Sequence, residues 1–301
     1  MFVALSFVGT LPSYTVECIH QIQTFFDGEV YIIASDFDSP FLKGPWKKRV
    51  HVIDYDRVRS MVFDELVAKH RSRFAIISGL TGREELFIRS FERLFLLQQL
   101  MIQRELTDGL FLELDVLIYQ DPRLWLPEFQ KYSLCYMFDN YNRCSSALMY
   151  VKNANALDGL LSYCSHYIQH ANEFINEMSC LYQYYESQQS PSSIQLLPTH
   201  WSEPAIASEH FGKFGNTIFD ALGIGIMMLG VDPFHTQGMI KRDIKFHWCL
   251  IDYTVYPYRW NTDDMNRRIP EMWTGKEWIR INNLHVHSKL LEEGLSVPRI
   301  S

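Results

Sequence analysis

Ten consecutive residues, Leu110-Phe-Leu-Glu-Leu-Asp-Val-Leu-Ile-Tyr119, are apolar except for Glu113 and Asp115. A run this short cannot cross a bilayer, and it reads as a strand buried on both faces, the habit of parallel sheets. The segments before it alternate. Phe2 to Val8 reads as a strand, and Thr15 to Phe26 as a helix with Val16, Ile19, Ile22, Phe25 and Phe26 at helical spacing. Asp27-Gly28 closes that helix, Glu29 to Ala34 is a second strand, and Val50 to Ile53 a third. Helices are expected over Tyr55 to Lys69 and over Glu84 to Leu106, the latter with Phe87, Phe91, Leu94, Phe95 and Met101 on one broad face. This order predicts an α/β fold with a mostly parallel central sheet flanked by helices, and ligands beyond the carboxyl ends of its strands.

The second half is less regular. Ala154 to Gln169 and Ala171 to Gln189 read as helices, with a Ser- and Pro-bearing loop from Gln188 to Pro204. Gly212, Gly215, Gly223, Gly225, Gly230 and Gly238 crowd the stretch that follows, and no linker or repeat marks a second domain. A single domain over 1–301 is expected. With 301 residues and 47% apolar content, the chain can bury one large core.

A formal charge of -7 excludes a general nucleic-acid binder, and the basic run Lys47-Lys48-Arg49 is isolated. Six scattered cysteines without a C-x-x-C pair suit reduced, mostly buried thiols. The apolar start Met1 to Val8 lacks a basic flank and no later stretch reaches spanning length uncharged, so no membrane span and a cytoplasmic location are expected.

Three places can carry chemistry. In an extended strand Glu113 and Asp115 point to one face, where two carboxylates suit a hard divalent ion such as Mg²⁺ or Mn²⁺. Pairing of one acid with a basic side chain, the other facing solvent, is the alternative. His285, His287 and Lys289 share a face if Asn283 to Lys289 is extended, which offers an imidazole to a metal and an ammonium to a phosphate. A half-exposed polar strand, or a zinc hydrolase with further ligands, are the other readings of that pair. Asp220, among small residues, can orient or deprotonate an acceptor hydroxyl, or cap the helix that follows. Glu177 reads as a mid-helix surface residue. The aromatic clusters around Tyr182 to Tyr185 and Trp248 to Trp260 read as core before sugar-stacking platforms.

In order along the chain, these pieces resemble GT-A glycosyltransferases. Glu113 to Tyr119 is similar to the acid-x-acid metal motif ending a central strand, closest to a viral and microbial set with a Glu-Asn-Asp form. Ser90 to Phe95 resembles the segment preceding that motif, and Asn176-Glu177-Met178 resembles an N-D-M element. Phe219-Asp220-Ala221 through Gly230-Val231-Asp232-Pro233 is similar to an F-D-x-x-x-x-G…G-x-D-P region, and Leu284 to Lys289 to an L-H-I-H-S-K ending.

The resemblance implies a hexosyl- or pentosyltransferase using a nucleotide-diphosphate sugar and Mn²⁺ or Mg²⁺. Residues 1–120 would bind the donor, and 121–301 would supply the acceptor side and the last metal and phosphate groups. On this reading Asp115 is the main metal ligand, Glu113 a direct or water-mediated one, and His285 or His287 completes the shell. Lys289 meets the departing phosphate, Ser35 and Asp36 lie where such folds hold the base or ribose, and Arg93 belongs to the donor site. If the enzyme inverts, Asp220 is the expected base, ahead of Glu177. Two departures stand out: G-Q-Y becomes Gly225-Ile226-Met227, and G-F-I-N-E becomes Gly238-Met239-Ile240-Lys241-Arg242. They bear on the acceptor and the base, and leave a donor-binding relative without turnover as the alternative, ahead of a metal-dependent hydrolase or nucleotidyltransferase.

Overall fold

Strand β1 (Phe2–Phe7) is the axis of the sheet, paired in parallel with β2 (Glu29–Ala34) on one side and β4 (Thr107–Leu112) on the other. The structure is a computed structural model describing residues 1–44, 46, 49–75, 84–171, 175–188, 193–231 and 250–299. Helix α1 (Thr15–Phe25) connects β1 to β2, and β3 (Val50–Asp54) extends the sheet beyond β2. Helices α2 (Tyr55–Val58), α3 (Met61–His70) and α4 (Glu84–Gln103) lead back to β4. The single helix expected over Tyr55 to Lys69 is therefore two. Ser60 breaks it, because its extended backbone and its hydroxyl, which accepts from the Phe63 amide (3.3 Å), start a new helix.

A larger departure falls on the ten-residue run. Instead of one strand it forms β4 and a separate β5 (Val116–Ile118), with a turn at Glu113-Leu114-Asp115 between them. Both acids leave the sheet at that turn; the Glu113 side chain is partly exposed, while Asp115 and Leu114 stay buried.

After α5 (Leu126–Phe129), strands β6 (Leu134–Asn140) and β7 (Arg143–Asn153) form a hairpin, with β7 antiparallel to β4. Helices α6 (Ala154–His170) and α7 (Glu177–Ser187) lead to β8 (Ile194–Leu197), parallel to β6. The seven-stranded order is β3-β2-β1-β4-β7-β6-β8, mostly parallel as expected. Asn176 does not lie mid-helix. Its side chain accepts from the Ser179 amide (2.8 Å) and caps α7, which makes Glu177 a first-turn residue.

The remaining described chain holds α8 (Ala205–Ser208), α9 (Gly223–Leu229), a meander of β9 (Tyr258–Thr262), β10 (Arg268–Trp273) and β11 (Trp278–Arg280), then β12 (Asn283–His285) and α10 (Leu291–Gly294). One continuous hydrophobic cluster runs from β1 to α10. Cys18, Cys135, Cys144, Cys164 and Cys180 are buried free thiols, as expected. Cys249, Lys47, Lys48, Asp232, Pro233 and the departure at 238–242 lie outside the described residues. No helix among the described residues is long and apolar enough to cross a membrane.

Candidate metal centre

Strands β2 and β3 follow β1 on one side of it and β4 lies on the other, so the direction of sheet growth reverses between β1 and β4. In open α/β sheets the crevice beyond the carboxyl ends at such a reversal takes ligands. Here the β4 end bends sharply. The Glu113 amide donates to the Ala147 carbonyl (2.9 Å), and the Val116 amide to the Glu113 carbonyl (3.1 Å). Beyond the bend, β5 pairs antiparallel with β12, with His285 opposite Val116. The Val286 amide donates to the Asp115 carbonyl (2.7 Å), which locks the two segments together.

That pairing brings Glu113, Asp115 and His285 into one cluster, with one ligand atom of each within 4.8 Å of the others. His285 Nε2 lies 3.4 Å from Asp115 Oδ2 and 3.6 Å from Glu113 Oε2. Adjacent ligands of an octahedral ion bound at about 2.1 Å sit about 3 Å apart. Small inward movements would therefore close the trio around a hard divalent cation, and two carboxylates with one imidazole are a donor set such an ion accepts. His287 is not part of the trio; its ring stands 5.7 Å from that of His285.

Charge holds the cluster together. Lys289, at a positive φ of 64° just past β12, places Nζ on the same Asp115 Oδ2 that faces His285. Burial pushes the Asp115 carboxyl up, but Lys289 and His285 outweigh it and hold it well below the usual carboxylate range. Burial works against charge on His285 too, yet Asp115 and Glu113 lift it to about 9. Tyr14, in the turn before α1, feels the same charges, and its hydroxyl is held protonated chiefly by burial. Arg93, from the buried face of α4, ion-pairs with Glu113 and reaches Ser146 Oγ (3.0 Å) and Glu177 Oε2 (3.2 Å). Glu177 is 2% exposed, takes a hydrogen bond from Ser146 on its other oxygen, and has its carboxyl raised by burial. A surface position for Glu177 is thus corrected: the α7 cap turns it inward to Arg93.

The imidazole of His285 is oriented by its other nitrogen. Nδ1 lies 3.2 Å from the Ala221 carbonyl, which can only accept, so Nδ1 carries hydrogen and Nε2 faces the carboxylates. Asp220 is 1% exposed, and its carboxylate accepts from the amides of Ile224 (2.9 Å), Gly225 (2.7 Å) and His285 (2.8 Å). Burial raises its carboxyl to about 6, against the pull of those amides. Ser35 and Asp36 sit at the carboxyl end of β2. There they take the amides of Gly9 (2.8 Å) and Leu11 (3.2 Å) and fix the loop after β1. They share an edge of the sheet with the trio.

No family model matches this sequence, and no curated protein sequence matches it. Among solved structures, the apo form of mouse xyloside xylosyltransferase 1 is similar over 65% of this chain and 84% of its own, at 12% identity and a TM-score of 0.44. The galactosyltransferase LgtC, in complex with donor and acceptor sugar analogs, is similar over 72% of this chain and 96% of its own, at 10% identity and a TM-score of 0.41. The glycosyltransferase PaToxG is similar over 61% and 68%, at 11% identity and a TM-score of 0.39. The chemistry is read from the site itself.

Ser146, Tyr14 and the Ala221 carbonyl were not singled out from the sequence. Ser146 and Tyr14 come to the site from segments distant in the chain, and although Ala221 lies in the Phe219-Asp220-Ala221 motif, its carbonyl acts only through His285.

Proposed function

We propose that this chain is a divalent-metal-dependent glycosyltransferase of the GT-A type, moving a sugar from a nucleotide-diphosphate sugar to an acceptor hydroxyl. The observation that carries the reading is the convergence of Glu113, Asp115 and His285, with Lys289 beside them, at the carboxyl edge where the sheet reverses. Asp115, Glu113 and His285 Nε2 are the groups that would hold Mn²⁺ or Mg²⁺. Bound there, such an ion would supply positive charge to the diphosphate of the donor. Lys289, on a flexible arm already turned into the site, gives a second cation for the phosphate oxygens. The loop fixed by Ser35 and Asp36 lies on the same edge and is assigned to the nucleoside. Arg93 serves the donor site through Glu113. Glu177 and Asp220 are almost wholly buried, their carboxylates tied to Arg93 and Ser146 and to three backbone amides, so neither is assigned the proton transfer that the sequence offered it. The whole of 1–301 is taken as one domain, its first 120 residues donor-binding.

The test is a thermal-shift titration with UDP-, GDP- and dTDP-sugars, each with Mn²⁺ and with EDTA. A ligand at a hundred times its Kd stabilises the folded state by about 2.7 kcal/mol. One nucleotide class is expected to raise the melting temperature, and only when metal is present. No shift with any of them, in a folded protein, would sink the reading.

His285 adds a pH signature. Near neutrality its Nε2 carries a proton, because its pKa stands at about 9. An ion must displace that proton, so Mn²⁺ binding at pH 7 is expected to release about one proton, with affinity rising about tenfold per pH unit up to that value. Calorimetry in two buffers of different ionisation enthalpy measures the release. Equal heats in both would show that His285 is not a ligand.

A further inference from the structure

We propose that Asp220 is the positioning residue of the metal ligand His285, an inference that rests on the metal-centre reading. Its carboxylate is buried at the junction of three segments. One oxygen accepts from the Ile224 amide, and the other from the amides of both Gly225 and His285. The start of α9 and the end of β12 are thus tied to a single side chain. The backbone around Asp220 is clamped as well. Asn283, fully buried on β12, accepts from the Asp220 amide with Oδ1 (3.1 Å) and donates to the Asp220 carbonyl with Nδ2 (2.9 Å).

The next residue, Ala221, presents the carbonyl that fixes the His285 ring. His285 is therefore held at its backbone amide by the Asp220 side chain and at its imidazole by the adjoining peptide. Both restraints fail together if the Asp220 frame shifts. Gly225 shows how close the fit is: a Cβ there would fall on the His285 carbonyl oxygen and press on Asp220 Oδ2. Only a glycine lets α9 approach this far.

Groups that orient a ligating histidine typically change metal affinity 10- to 100-fold when replaced. Asp220→Asn keeps the shape but turns an amide toward three N–H donors, so at most one oxygen still accepts. Calorimetric titration of Mn²⁺ alone into the wild type, Asp220→Asn, Gly225→Ala and Asp115→Ala is the test. We expect Mn²⁺ affinity to fall about 10- to 100-fold in Asp220→Asn and in Gly225→Ala, and to vanish in Asp115→Ala. A folded Asp220→Asn that binds Mn²⁺ like the wild type, while Asp115→Ala does not, overturns the positioning role and leaves the metal centre standing. If Asp220→Asn does not fold, Gly225→Ala decides, since it disturbs the same contact and keeps the carboxylate; wild-type affinity there overturns the role. Unchanged affinity in Asp115→Ala would overturn the metal centre and this role with it.

Discussion

Asp115→Ala is expected to lose Mn²⁺ binding and about a thousandfold in turnover, while the chain still folds. The oxygen removed is the one that both Lys289 and His285 face, whereas Glu113 lies 3.6 Å from His285 and is ion-paired with Arg93 instead. On the proposed reading, the loss of Asp115 would leave the donor's diphosphate without an anchored cation, and losing even one such stabilising group costs roughly 10²–10³-fold. Folding survives because the cations left behind have outlets. The Lys289 side chain is 35% exposed and can turn to water, and His285 can give up its proton. The pH dependence of stability then reports on the pair. In the wild type the folded pKa of His285, about 9, stands above its ordinary value. Its contribution is therefore complete below pH ~6.5 and is lost as pH rises through about 9. Asp115 is the chief group raising that pKa, so metal-free melting curves between pH 6.5 and 9.5 should decline less steeply in the variant. Equal slopes would mean that the two side chains are not coupled in solution.

How much of this was legible follows from where each signal lives. β2 and α1 were read within a residue of their bounds because their patterns are local: β-branched and aromatic residues before a turn, and apolar positions at helical spacing. The run at 110–119 misled for the same reason. Its apolar residues continue across the turn, since β5 is as buried as β4, and periodicity cannot show that β5 pairs with β12 from the far end of the chain. The strand geometry assumed for the two acids was wrong, since they stand in the turn between β4 and β5. Glu177 failed in another way. Its neighbours look like an exposed helix, and its burial is explained by Arg93 from α4 and Ser146 from β7, both distant in the chain. For Asp220 the local sequence offered a structural role beside the chemical one, and, two residues before the N-cap Leu222, its side chain does take the first-turn amides of the glycine-rich helix. Its bond to the His285 amide needed the fold.

The second large effect is expected at Arg93. Its guanidinium stands between Glu113 and Glu177, and Arg93→Met would leave both carboxylates against an apolar side chain. Removing one partner from a buried ion pair costs about 3–5 kcal/mol, because the remaining charge stays unpaired. Glu177 should bear most of this, being almost wholly buried, whereas Glu113 is partly exposed. Burial already raises the Glu177 carboxyl, and Arg93 is the strongest influence holding it down. Without Arg93 it should rise further. A carboxyl whose folded pKa is raised destabilises the fold increasingly as pH climbs from its unfolded to its folded pKa. The deficit of Arg93→Met should thus be smaller at pH 5 than at pH 8 in urea melts. A second change, Glu177→Gln, should recover much of the loss at pH 8 by removing the stranded charge. Were the deficit the same at both pH values and untouched by Glu177→Gln, lost packing of α4 would be its cause. The same variant also releases Glu113, whose one oxygen is held by Arg93 while the other faces His285. Mn²⁺ affinity should consequently fall in Arg93→Met even after Glu177→Gln has restored stability, separating the support of the fold from the support of the metal centre.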